Sequence, residues 1–416
     1  MKITKKLIAA LSLGVAVMGT AVVVPTAVVQ AQDKSGNTVS KAAAKPLKAA
    51  QEAMQAKKYP EALAKLKEAQ AVAGKTPYDD HLINEMLGFV YVRQNNYPEA
   101  AKALEAGLNS GFLEQSEQPG RIRALAQVNY QLKNYDKAID FGNRAVKGGF
   151  ADDEMSTLIG QAYYIKGDFK GAAAFLENFV AADVKKGKTP KEQTLQLIMS
   201  SCAKLNDAAC TTNALERLVS YYPKTEYWQN LLYSMFQAQD NSEKSMLHVY
   251  RLASEVDVLK RPEDYTEMAQ LAIEQGSPGE AQRILEKGFQ KNVFTEQRDK
   301  DRNTRLLESA KKTAASDLAG LDKMSAEAAT AATGDKDFGV GFAYLGYQQY
   351  DKAVTSLQRA LTKGKLRNEA EARLLLGIAQ LEGGKKDDAV KSFKEVKGDA
   401  KLERIANLWT LHAKQA

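Results

Sequence analysis

The chain has 416 residues, 44% hydrophobic, 26% charged and 8% aromatic. Its 58 basic and 51 acidic side chains give +7, but three of the lysines lie in the first 31 residues. Without that segment 55 bases face 51 acids, and +4 spread over 385 residues gives no case for nucleic acid, whose binders carry a basic stripe on one face.

Residues 1–31 read as an export signal. Lys2, Lys5 and Lys6 form a positive start, Leu7 to Val24 an apolar core, Pro25 a breaker, and Val29-Gln30-Ala31 a small-x-small cleavage site before Gln32. The long apolar run leaves a retained membrane anchor as the alternative. No cysteine follows it to accept an acyl chain. The expected destination is the periplasm, with 32–42 a disordered linker rich in Ser, Gly, Asn and Thr.

From there the letters repeat. Tyr59, Tyr97, Tyr135 and Phe169 are 38, 38 and 34 residues apart. Three residues after each stands Ala62, Ala100, Ala138 or Ala172, and nine before the last three stands Gly88, Ala126 or Gly160. In the second unit Leu87, Gly88 and Tyr91 line one face of a first helix, Asn95-Asn96 break it, and Ala100, Leu104 and Gly107 line a second. Short side chains permit helix axes about 8–10 Å apart. Gly88 is therefore expected against Ala100, and Gly160 against Ala172. One such hairpin cannot bury its apolar stripe, so the units must stack.

Further units follow: Leu195 to Pro223; Met268, Ala269, Ala272, Gly276, Ala281 and Leu285; Tyr344, Tyr350, Ala353, Leu357 and Ala360; Leu376, Gly377, Gly384, Ala389 and Phe393. Two segments are weak. Tyr227–Ala253 keeps the apolar weight without the small slots, and Asn303–Ala332 is either a degraded unit or one long polar helix. A capping helix is expected from Ala400 to Ala413, carrying Leu402, Ile405, Leu408 and Trp409.

The hydrophobic–Leu–Gly/Ala–x–x–Tyr run, the Gly or Asn ahead of each aromatic and the recurrent Ala resemble the tetratricopeptide repeat family over most of residues 43–398. The departures are the missing Trp at the head of each unit and the mostly missing terminal Pro, for which only Pro223 sits well. The resemblance implies an all-α solenoid, a right-handed superhelix of about eight recognisable and two degenerate units. Its divisions would be an N-terminal array at 43–290, an atypical helical segment at 291–333, and C-terminal units with a cap at 334–414. It also implies a periplasmic protein of a Gram-negative envelope, of a kind that sometimes accompanies TonB-type transport systems.

Cys202 and Cys210, the only cysteines, flank a turn at Asn206. In an oxidising compartment they are expected to form a disulfide, provided their Cα atoms come within about 7 Å. The alternative is two small buried apolar residues, since Cys202 fills a slot that holds Tyr elsewhere.

No catalytic constellation emerges. His81, His248 and His412 sit in different units without zinc-ligand spacing, and Asp79-Asp80-His81 reads as a helix N-cap. There is no Gly-x-Ser-x-Gly elbow, and Gly339-Val340-Gly341 lies inside a helical unit rather than after a strand. No cofactor or metal is expected, and an enzyme acting on cell-wall material, with 292–333 as a lid, is the least favoured reading.

Binding is the expected function. Residues one, four and five places past each Gly/Ala slot should point into the groove formed by first helices. They are Phe89, Val92 and Arg93; Gln127, Tyr130 and Gln131; Gln161, Tyr164 and Ile165. Aromatic and Arg side chains there are the usual anchors for a peptide or helix, although Tyr130 and Tyr164 can equally pack between units. The Lys/Asn clamp that some family members use for carboxylate tails is not matched. The expected partner is a protein or peptide of the envelope, with an inner-membrane complex as the alternative.

Overall fold

The computed structural model describes residues 38–236 and 242–415; the leader and residues 32–37 of the expected linker lie outside them, while Ser40 caps the first helix and Lys41 and Ala42 belong to it rather than to a disordered linker. Among the described residues there are twenty α-helices and no strand. No helix there is long and apolar enough to cross a membrane.

The chain forms two compact units that meet in sequence at Thr211/Thr212. That boundary lies within the 43–290 stretch of the sequence reading, and 291–333 lies inside the second unit. The first unit holds α1 (Lys41–Gln55), α2 (Tyr59–Ala71), α3 (Pro77–Arg93), α4 (Tyr97–Leu108), α5 (Gln118–Gln131), α6 (Tyr135–Lys147), α7 (Asp153–Lys166), α8 (Phe169–Lys185) and α9 (Glu192–Lys204). The repeating aromatics Tyr59, Tyr97, Tyr135 and Phe169 each open a second helix.

Each turn is made by one residue in the left-handed region, two places before that aromatic. Asn95 has φ 56° and Gly167 φ 89°. The chain then closes with a bond from Asn96 N–H to Tyr91 carbonyl at 2.9 Å, or from Asp168 N–H to Tyr163 carbonyl at 2.9 Å. The first turn of α3 corrects one expectation. Thr76 is the N-cap, and Asp79 completes a capping box by accepting from Thr76 N–H at 2.8 Å.

The glycine slots are as crowded as the spacing requires, but their neighbour is not the alanine. A Cβ at Gly88 would lie 2.6 Å from Leu104, and one at Gly160 would lie 2.5 Å from Leu176. Gly341 stands likewise beneath Leu357 at 2.6 Å, and Gly377 beneath Phe393. The partner is always sixteen residues on, one helical turn past the alanine, because the alanine is too short to reach across. These knobs are at most 1% exposed, and burying each contributes about 2 kcal/mol.

The second unit continues with α10 (Ala208–Tyr221, whose first residues belong to the first unit), α11 (Thr225–Phe236), α12 (Glu243–Glu255), α13 (Pro262–Glu274), α14 (Pro278–Gln290), α15 (Gln297–Thr330), α16 (Asp335–Gly346), α17 (Tyr350–Lys363), α18 (Glu369–Glu382), α19 (Lys386–Lys394) and α20 (Ala400–Gln415). The open question over 303–332 resolves as a single helix of 34 residues. Ala314, Leu321 and Ala328, seven apart, form its buried seam, and a seam of small residues lets it lie across α14 and α16. Two of its carboxylates accept bonds from the next helix: Tyr344 of α16 donates to Asp322 at 2.8 Å, and Tyr347 at the C-cap of α16 to Asp317 at 2.7 Å.

Candidate binding face

In the first unit, close packing among the described residues joins helices one or two places apart along the chain, including first helix to first helix at α1–α3, α5–α7 and α7–α9. The nine groove candidates lie on α3, α5 and α7 at three levels of exposure. Phe89 is 2% exposed, edge-on to Tyr59 at 6.2 Å with the Arg93 guanidinium 5.1 Å from its ring centre. Tyr130 is 8% exposed, edge-on to Tyr135, and burial pushes its hydroxyl up to about 12. Its hydroxyl donates to Gln161 Oε1 at 3.3 Å, tying α5 to α7. Val92, Gln127, Gln161 and Tyr164 are half-buried, Tyr164 against Phe169 at 5.1 Å. Arg93, Gln131 and Ile165 are exposed.

In the second unit a corresponding slot meets the chain itself. One place past Gly341 is Phe342, and five past Gly377 is Glu382. Phe342 touches α12, with the Arg251 guanidinium 4.9 Å from its ring centre, and burial, then the charge of Glu255 at the end of α12, pushes Glu382 up to about 7. Arg251 also grips Glu280 with two bonds, at 2.8 and 2.6 Å. Its remaining nitrogen donates to His248 Nδ1 at 2.9 Å. The Nδ1 of His248 is therefore an acceptor, and its Nε2–H faces Glu371 Oε1 at 3.3 Å. These four side chains are buried. Burial drives the His248 pKa down; it would raise those of Glu280 and Glu371, but Arg251 and His248 hold both carboxylates below their ordinary values.

The two cysteines are bonded in the structure, with Cα atoms 5.5 Å apart. The nearest Ser–His contact is Ser110 Oγ to His81 Nδ1 at 2.9 Å, and that hydroxyl donates to the Gly107 carbonyl at 2.8 Å. Among the described residues no group of three or more His, Cys, Asp or Glu is placed to hold a metal ion. A trough of about 420 Å³ lies over Gly279, Ala314, Ala315 and Gly346. Of its two cations, Lys311 pairs with Glu286 at 2.9 Å and Arg283 donates to the Gly346 carbonyl at 3.3 Å.

Against known families, residues 47–113 and 343–401 match the tetratricopeptide repeat model. These two stretches are tetratricopeptide repeats. Repeats of this kind are scaffolds that mediate protein–protein interactions. Solved structures similar to the chain include YrrB, described as a tetratricopeptide protein with an unusual peptide-binding site (18% identity, 44% of this chain and 89% of that one, TM-score 0.34). Another is a tetratricopeptide repeat protein from Parabacteroides merdae (10% identity, 79% and 98%, TM-score 0.30). A third is the TPR2AB domain of yeast Sti1 in an Hsp90 complex (15% identity, 71% and 96%, TM-score 0.25). No curated protein matches.

Proposed function

We propose that this tetratricopeptide protein is a periplasmic binding scaffold that seats a helix or extended peptide of an envelope protein on the first helices of its first unit. One observation carries the reading: in the second unit first helices hold α12 of the same chain, the Phe342 ring against the Arg251 guanidinium and the Glu371 carboxylate against His248. A face of this geometry thus holds a helix when one is supplied. On the first unit Val92, Gln127, Gln161 and Tyr164 are half-buried, and Gln131 and Ile165 exposed. The contacting set is then Val92, Arg93, Gln127, Gln161, Tyr164 and Ile165, with Phe89 and Tyr130 supporting it from beneath. Because the helices are preformed, little ordering entropy is lost on binding. The leader-like 1–31 and the disulfide support the compartment.

The test is capture from a periplasmic extract by the mature chain, compared with a Gln161→Ala, Tyr164→Ala, Ile165→Ala variant of unchanged circular dichroism. The expected result is a specific partner lost with the triple variant. Equal capture by both proteins removes the face assignment. N-terminal sequencing of the exported protein should begin at Gln32, and a retained leader overturns the compartment.

A further inference from the structure

A helix that merely caps a stack rests one face on the last hairpin and shows a polar face to solvent. α20 does not: between Lys401 and Ala413 only Asn407 is exposed. It packs closely on α18 and α19, where Trp409 stacks on Phe393 at 6.1 Å, and also on α12. It reaches α10 of the same unit, 188 to 196 residues earlier. There Arg404 Nε donates to Glu216 Oε1 at 3.4 Å, and Gln415 Nε2 to the Val219 carbonyl at 2.8 Å. His412 lies edge-on to Trp228 of α11 at 6.4 Å, with its Nε2 3.5 Å from Glu255 Oε1 of α12. In a stack of repeats each unit touches only its neighbours; here one helix ties the start of the second unit to its end. The seat is nevertheless imperfect. Two buried donors of α20, Trp409 Nε1 and Arg404 Nη2, have no hydrogen-bond partner among the described residues. The link from α19 turns at Gly398, with φ 88° and nothing within 4 Å of an added Cβ, so α20 can swing there without displacing a neighbour.

We propose that α20 is a releasable strap: seated, it closes the second unit by joining α10, α11 and α12 to α18 and α19, and it unseats as one element about Gly398 before the helices beneath it unfold. Each orphaned donor weakens the seat by on the order of tenfold. Among the described residues α20 packs closely on none of α13 to α17, so those helices outlast its release. Release bares Trp228 and Trp409, the two tryptophans of the chain, and frees the end of α12 at Glu255. Further back on α12, Arg251 and His248 keep their hold on Glu280 and Glu371. The second unit thereby loosens from one edge without melting.

The test is native-state hydrogen exchange of the full mature chain in urea below its unfolding midpoint, read helix by helix. A released helix of this length is marginal in water and loses its protection. Residues 400–415 are expected to open together, with protection roughly a hundredfold below that of α13 to α17, and acrylamide quenching of the tryptophans should rise with that opening. An Arg404→Ala, Gln415→Ala variant of unchanged circular dichroism removes only the ties to α10. It should lower protection over 400–415 by a further factor of about three to ten and leave α13 to α17 and the first unit as they were. Exchange of 400–415 only together with α13 to α17 overturns the strap. So does a double variant whose 400–415 protection matches the parent, as it would for a plain end cap.

Discussion

Replacing Gly160 by Ala adds one carbon at the tightest point of the α7–α8 hairpin. That carbon would lie 2.5, 2.7 and 2.8 Å from Leu176 Cδ2, Cγ and Cδ1. Because the branch carbon is among the three, turning the outer torsion of Leu176 does not clear it, and Leu176 is fully buried with nowhere to retreat. Overpacking of this kind costs about 1–3 kcal/mol. Alanine recovers about 1 kcal/mol over glycine within a helix. The net expectation is a loss of up to about 2 kcal/mol, seen as a lower urea midpoint with unchanged slope. Gly339 supplies the control: it is helical and exposed, with nothing within 4 Å of an added Cβ, so Gly339→Ala should gain up to about 1 kcal/mol. A cycle with Leu176→Ala completes the test. In that background the new methyl enters vacated space, giving a coupling of about 1–3 kcal/mol. A stabilising Gly160→Ala, or additive single changes, would refute the nesting argument.

The remaining expectations concern the second unit and the disulfide. Arg251→Ala leaves Glu280 buried without its cation and removes the donor to His248; it should cost about 3–5 kcal/mol, measured by denaturant melts, and a loss under 1 kcal/mol would mean the network is replaceable. Reducing the Cys202–Cys210 bond, eight residues apart, should lower stability by about 2–3 kcal/mol on the chain-entropy account. A thermal midpoint indifferent to reductant would contradict that.

Much of the architecture was legible because each repeat is settled by its own residues and its neighbours. An aromatic that opens a second helix, a left-handed residue two places before it and a glycine slot sixteen places before its knob all lie within one unit. The nesting partner was misread by one turn, Ala100 in place of Leu104, because small residues signal close approach without saying which side chain fills the gap. The N-cap of α3 was misplaced for a similar reason. Thr76 and Asp79 satisfy each other reciprocally, so either letter alone looks like a cap.

The letters alone determined an all-helical stack, through periodicity, turn chemistry and the spacing of small side chains, all acting over fewer than forty residues. Tertiary structure alone decided what fills the inner face of the second unit. His248 and Glu371 are 123 residues apart, and no local spacing links Arg251 to Phe342 or Glu255 to Glu382. The one hint was negative: Tyr227–Ala253 lacks the small slots of a nesting repeat, and α12 within it packs instead against the charged inner face. Such contacts form only after the hairpins have stacked, because stacking is what brings helices distant in sequence to the same face.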